Sequence, residues 1–278
     1  MSDSFVLSKK PVPVTDIPSE EAIVARAKEV LASIPQWKEG KAYKGGVKTY
    51  TLPKGLTPGT SAEDFWACRV SELSPSDASF DAMWAHLAKD KAENEMKSLS
   101  LSLQTAYRPS FVSNASITRQ RGVHQLELRQ HRYMPIIRKV TKVEEISPAQ
   151  EIWTLLYKFN PVMTPRVFTV LQLAHLDESH PTGRVGIIVQ VPIDLSPDPE
   201  LAKLEEKGVK ASYVSVEQLT ETKDGTDSGS EAGKVRWTMA TSSHPGGMIP
   251  DAITNASLAG EIAKDVPNFL SFLKSVKG

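Results

Sequence analysis

Apolar positions along this chain follow two periods. Near the C-terminus Leu258, Ile262, Val266, Phe269 and Leu273 recur at steps of four, four, three and four, which puts them on one helical face. Just upstream, Val235 to Thr241 is rich in strand formers and leads into Ser242-Ser243-His244-Pro245-Gly246-Gly247. The glycine pair permits a turn at positive φ, and Pro250 suits a first helical turn. Pro267 lies inside the helical pattern and predicts a kink there, because it lacks an N–H and crowds the carbonyl four residues back. A long, one-sided helix needs a broad surface to lie on, and a curved antiparallel sheet would supply one.

The rest of the chain reads as enough strands to build that sheet. Residues 1–17, with Pro11 and Pro13, form an expected extended arm; residues 18–278 form one domain. Ser19-Glu20-Glu21 opens a helix whose apolar face is Ile23, Ala27, Val30, Leu31 and Ile34. Val47 to Leu52 and Phe65 to Leu73 read as strands, and Ser76 or Ser79 caps a helix carrying Phe80, Met83, Trp84 and Leu87. Ser98 to Leu103 alternates like a strand. From Ile136 the strand signals become regular: Val140 to Ile146, Ile152 to Phe159, Val167 to Leu176, Val185 to Val191 with Pro192 as its expected end, and Ser212 to Thr220. A short helix is expected within Glu200 to Lys207, and Thr222 to Gly233 is a polar loop. The order predicts an α+β fold with a meander sheet wrapped around a helix.

Composition narrows the function. The chain has 278 residues, is 40% hydrophobic and 24% charged, and carries 33 basic and 33 acidic side chains. That balance argues against nucleic acid as a partner. The basic stretch 119–132, with Arg119, Arg121, His124, Arg129, His131 and Arg132, reads either as an anionic head-group or nucleic-acid site or as a solvated strand or loop face. Cys68 is the sole cysteine, so no intrachain disulfide forms, and a reducing, cytoplasmic setting is expected. No long apolar span and no signal-peptide core is present. There is no nucleophile elbow, glycine-rich phosphate loop or closely spaced metal-ligand set, so neither a catalytic residue nor a metal or cofactor is expected.

Two stretches carry a family resemblance. One is Val143-Glu144-Glu145-Ile146-Ser147 with Glu151-Ile152-Trp153-Thr154-Leu155-Leu156-Tyr157 and Met163-Thr164-Pro165-Arg166-Val167-Phe168-Thr169-Val170-Leu171. The other is Trp237 with Gly246-Gly247-Met248-Ile249-Pro250, then Ile262 and Asp265-Val266-Pro267-Asn268-Phe269-Leu270. Both resemble START domains, the helix-grip lipid-transfer domains, and most resemble an uncharacterised fungal branch. That branch also shows patterns like Trp66-Ala67-Cys68-Arg69-Val70-Ser71 and Tyr213-Val214-Ser215-Val216-Glu217.

The resemblance implies a curved antiparallel sheet gripping the C-terminal helix, with a ligand tunnel between them. By the family pattern Trp153, Leu155, Tyr157, Phe168, Val170 and Gln172 face the cavity, together with Leu258, Ile262, Val266 and Phe269 from the helix. Several relatives keep a buried acidic–basic pair at the positions of Trp153 and Gln172; here an aromatic ring and an amide replace it. The loop Asn160 to Pro165 would form the mouth, with Val162 and Met163 as gate and membrane contact. Arg166 reads as a loop anchor or ion-pair partner. Three functions stay open: a carrier of a lipid, sterol or similar hydrophobic molecule making transient membrane contact, a helix-grip enzyme of the cyclase or hydratase type, and a scaffold with a filled core.

Overall fold

Ser19 opens the first helix by accepting a hydrogen bond from the Ala22 N–H, and Glu20 and Glu21 fall in the first turn, where the helix dipole favours acids. This helix, α1 (Glu20–Ser33), buries Ile23, Val24, Ala27 and Val30 along one face. Fully burying each of the three larger side chains contributes about 1.5–3 kcal/mol. The computed structural model describes residues 5–88, 136–158, 163–181, 183–222 and 233–276. The expected strand Ser98 to Leu103, the basic stretch 119–132, residues 160–162 of the mouth loop and nearly all of the polar loop lie outside the described residues.

The described strands are β1 (Val12–Pro13), β2 (Lys38–Tyr43), β3 (Val47–Thr51), β4 (Ala67–Leu73), β5 (Ile136–Ser147), β6 (Gln150–Lys158), β7 (Arg166–Asp177), β8 (Val185–Asp194), β9 (Val209–Glu221) and β10 (Val235–His244). The remaining helices are α2 (Phe80–Leu87), α3 (Pro199–Ala202) and α4 (Asp251–Val276). The strands form one curved sheet in the order β2-β3-β4-β10-β9-β8-β7-β6-β5, antiparallel along that path, with β1 joining the end of β8 in parallel. This is the expected α+β, helix-grip architecture.

Both faces of the sheet are covered. On one, α1 packs against β8 and β9, and Ile152, Leu171, Val189, Val214, Val216 and Cys68 point into that layer. Leu7 of the N-terminal arm is fully buried in the same layer, and its backbone bridges to Thr60. On the other face, α2 and α4 pack against Val47, Leu73, Ile188, Leu219, Val235 and Trp237. Trp84 of α2 lies so close to Gly186 that a Cβ there would come within 2.4 Å of the indole, so only glycine admits this contact. α4 crosses β3, β4 and β10, and its backbone stays helical through Pro267.

β8 does not end at Pro192 as expected but runs on to Asp194. The ladder to β9 stops at Gln190 and β1 joins only at Ile193, so on that side Pro192 has no partner to lose. β2 went unread in the sequence because all six of its residues are exposed and show no alternation; pairing with β3 holds it. The expected helix after Pro199 shrinks to the single turn of α3.

Candidate functional site

Directly paired residues in neighbouring antiparallel strands share a face. The register therefore assembles the helix-facing surface row by row. One row reads Ala67, Thr241, Ser215, Gln190, Gln172 and Glu151, on β4, β10, β9, β8, β7 and β6. All but the first are polar. The adjacent row reads Arg69, Met239, Glu217, Ile188 and Ala174. A polar band thus crosses the middle of the sheet, and Arg69, Ser215, Glu217, Gln190 and Gln172 within it are buried. Ser215 donates to the Gln190 side-chain oxygen at 3.1 Å, and Gln172 donates to the Ala88 carbonyl at 3.1 Å.

Apolar side chains flank the band. On β6 and β7, Trp153, Leu155 and Val170 are buried in one cluster with Ile137, and Tyr157 packs against it. Phe168 is half-buried, with its ring 5.2 Å from Tyr157 and 5.5 Å from Tyr213. On the other flank Val266 and Phe269 join the α2 cluster, and the Phe269 ring lies 5.1 Å from Trp237. Leu258 and Ile262 pack on Ala67. The strand residues and the helix residues share the inner face but fall in separate clusters, because α4 lies over the β3, β4 and β10 half. Trp153 also reaches a polar partner: its indole N–H donates to Glu151 at 3.1 Å. Val162 lies outside the described residues, and Met163 is half-buried.

Reading the sequence missed Arg69 and Glu217. Arg69 is 1% exposed, with its guanidinium 3.8 Å above the Trp237 ring. Its Nη2 lies 4.0 Å from Glu217 Oε2, an ion pair too long for a direct hydrogen bond. Glu217 Oε2 instead accepts from the Trp237 indole N–H at 2.9 Å. Burial pulls the Arg69 pKa down, while Glu217, Asp265 and Cys68 push it back up. A buried charge pair therefore exists on this face, on β4 and β9 rather than at Trp153 and Gln172. One signal was available: Arg69 shares strand parity with Ala67, Ser71 and Leu73, and Glu217 with Ser215 and Leu219.

The chemistry of the remaining candidates is quiet. Cys68 points to the α1 face, and burial pushes its thiol pKa up to about 12, which leaves it protonated near neutral pH. Among the described residues no group of three or more His, Cys, Asp and Glu could hold a metal ion. None of the described helices is long and apolar enough to cross a membrane.

At one end of the sheet, Arg166 is buried and ties two loops together. It donates to the Pro245 carbonyl at 3.2 Å and to the Thr164 carbonyl at 2.5 Å, the anchoring role expected of it. Gly246 has φ 71° and sits where a Cβ would come within 2.0 Å of the Lys210 carbonyl oxygen. Beyond it, Met248 is 99% exposed and Ile253 63% exposed. Nearby, a polar cleft of about 400 Å³ is lined by Lys9, Lys10, Glu63, Asp64, His244 and Asp251. Lys9 bonds the Asp251 carboxylate at 2.9 Å, and His244 Nε2 lies 3.3 Å from its other oxygen.

Comparisons with known proteins place this geometry. The family model described as protein of unknown function DUF3074 matches residues 66–273. No curated protein matches the sequence. Among solved structures, human STARD10 superposes with a TM-score of 0.54 at 10% identity, over 93% of this chain and 80% of that one. Human StAR-related lipid transfer protein 5 gives 0.54 at 10% identity, over 94% of this chain and all of that one. The fold is that of START domains.

Proposed function

The chain belongs to the DUF3074 family and has the START fold, and from these premises we propose that it binds a hydrophobic small molecule between sheet and helix and carries it between membranes. A lipid, a sterol or a similar amphiphile is the ligand class. The inner face carries this reading: buried apolar clusters lie on both sides of a buried polar band. Small-molecule sites are mostly apolar with a few placed polar groups, and this face has that make-up. By its printed name, one of the similar solved structures is a lipid-transfer protein, which supports the same class. In this reading Trp153, Leu155, Tyr157, Phe168, Val170 and Gln172 line the strand side, and Leu258, Ile262, Val266 and Phe269 the helix side. A cytoplasmic site of action belongs to the same reading.

The mouth is assigned to the end where Arg166 ties the Thr164 and Pro245 loops. Met163 stands in one of these loops and Met248 in the other, and the exposed Met248 and Ile253 supply apolar contact for a membrane surface. Burying one such side chain contributes about 1.5–3 kcal/mol, which suits a brief contact rather than an anchor.

Uptake of a fluorescent lipid tests the binding. Val170 is 1% exposed at the centre of the strand cluster. Val170→Trp is expected to keep the far-UV circular dichroism of the fold and lose most of the uptake. Uptake equal to wild type in the folded variant contradicts the assignment.

A further inference from the structure

Arg69 carries more hydrogen-bonding capacity than the protein uses. Its Nε and Nη1 are buried and, among the described residues, have no hydrogen-bond partner; the Ser71 hydroxyl, two residues along the same face, has none either. Nη2 faces Glu217 across 4.0 Å. Buried donors are nearly always paired, because leaving one unmade forfeits the bond it would have made to water. Two such donors on one guanidinium, held over the Trp237 ring, call for an acceptor in the working state.

We propose that Arg69 and Glu217 together form the polar anchor of the bound molecule and select a neutral amphiphile that ends in a hydroxyl group. The proposal rests on the binding reading above. The choice of a neutral end follows from charge. Arg69 and Glu217 already balance each other, and Asp265 adds a further negative field at Arg69. A carboxylate or phosphate would bring another anion close to the Glu217 carboxylate in a dry setting, where like charges are costly. A hydroxyl adds no charge. Its oxygen accepts from the idle Arg69 donors, and its proton is donated to Glu217. A hydrocarbon end would satisfy neither group.

The test uses the full-length, delipidated protein and three probes that share one chain: oleyl alcohol, oleic acid and octadecene. Each displaces a bound fluorescent lipid at pH 8. The alcohol is expected to displace it at least about tenfold more effectively than the alkene or the acid, since a site built to bond a hydroxyl rejects analogues lacking it. In Arg69→Met with Glu217→Leu, which removes both charges so that neither is left buried alone, the three probes become equivalent. Equal displacement by alcohol and alkene in the wild type, a preference for the acid, or a preference that survives in the double variant each overturns the anchor. Binding without preference overturns the anchor alone. If the fluorescent lipid and all three probes fail to bind, the binding reading falls and the anchor falls with it.

Discussion

Taking the charge from Glu217 while keeping Arg69 leaves a guanidinium buried over Trp237 without its ion-pair partner. Breaking a buried pair from one side typically costs about 3–5 kcal/mol, whereas replacing both partners with apolar groups is often neutral. Glu217→Gln is therefore expected to lose stability on that scale in urea unfolding, and the pair Arg69→Met with Glu217→Leu to recover most of it. A loss of stability in the pair equal to the sum of the two single changes contradicts the coupling. Neither residue stood out locally, since each is one charged position in an otherwise ordinary strand. Their meaning depends on register, which sets Glu217 one strand beyond Met239 and Arg69 one strand before it.

Helices were the legible elements. Ser19 and Ser79 cap α1 and α2 as their sequence positions imply, and the stripe from Leu258 to Leu273 marks α4. The strands were legible in number more than in face. With α1 on one side and α2 and α4 on the other, a central strand such as β8 is apolar at nearly every position, so alternation cannot say which side chains look inward. The parity of Trp153, Leu155, Val170 and Gln172 came from the resemblance; in the fold the first three share one buried cluster. The polar band stayed hidden because its members come from six separate strands of the chain. At the start of α4, the hydrogen bond from Lys9 is the main reason that the Asp251 carboxyl sits below its ordinary pKa, with smaller contributions from the charges of Lys9 and His244. A carboxyl lowered in the folded state stabilises above its unfolded pKa of about 4, and that contribution fades as pH falls through the folded value. Asp251→Asn should thus lower Tm by about 1–3 °C at pH 7, a small effect because the carboxylate is about half exposed. The gap should begin to narrow as pH falls through about 4 and keep shrinking below it; a gap that stays constant from pH 7 down to pH 2 contradicts the linkage.

For the whole molecule, binding and delivery separate. In the proposed function the inner face sets what is held, and the end carrying Met248 sets transfer to a membrane. Met248→Asp is expected to slow lipid transfer between vesicles by about tenfold, since 1.4 kcal/mol of lost contact is a factor of ten. Equilibrium binding should be unchanged. Transfer at the wild-type rate would remove this end from the delivery step. The central claim, that one amphiphile sits inside this fold, meets its most direct test in native mass spectrometry of the protein as purified, with organic extraction of whatever travels with it. The account predicts a one-to-one complex with a hydroxyl-bearing lipid that is absent from Val170→Trp. A wild-type protein that always appears at its bare chain mass, yields no lipid on extraction and takes up none when lipid is added would contradict it.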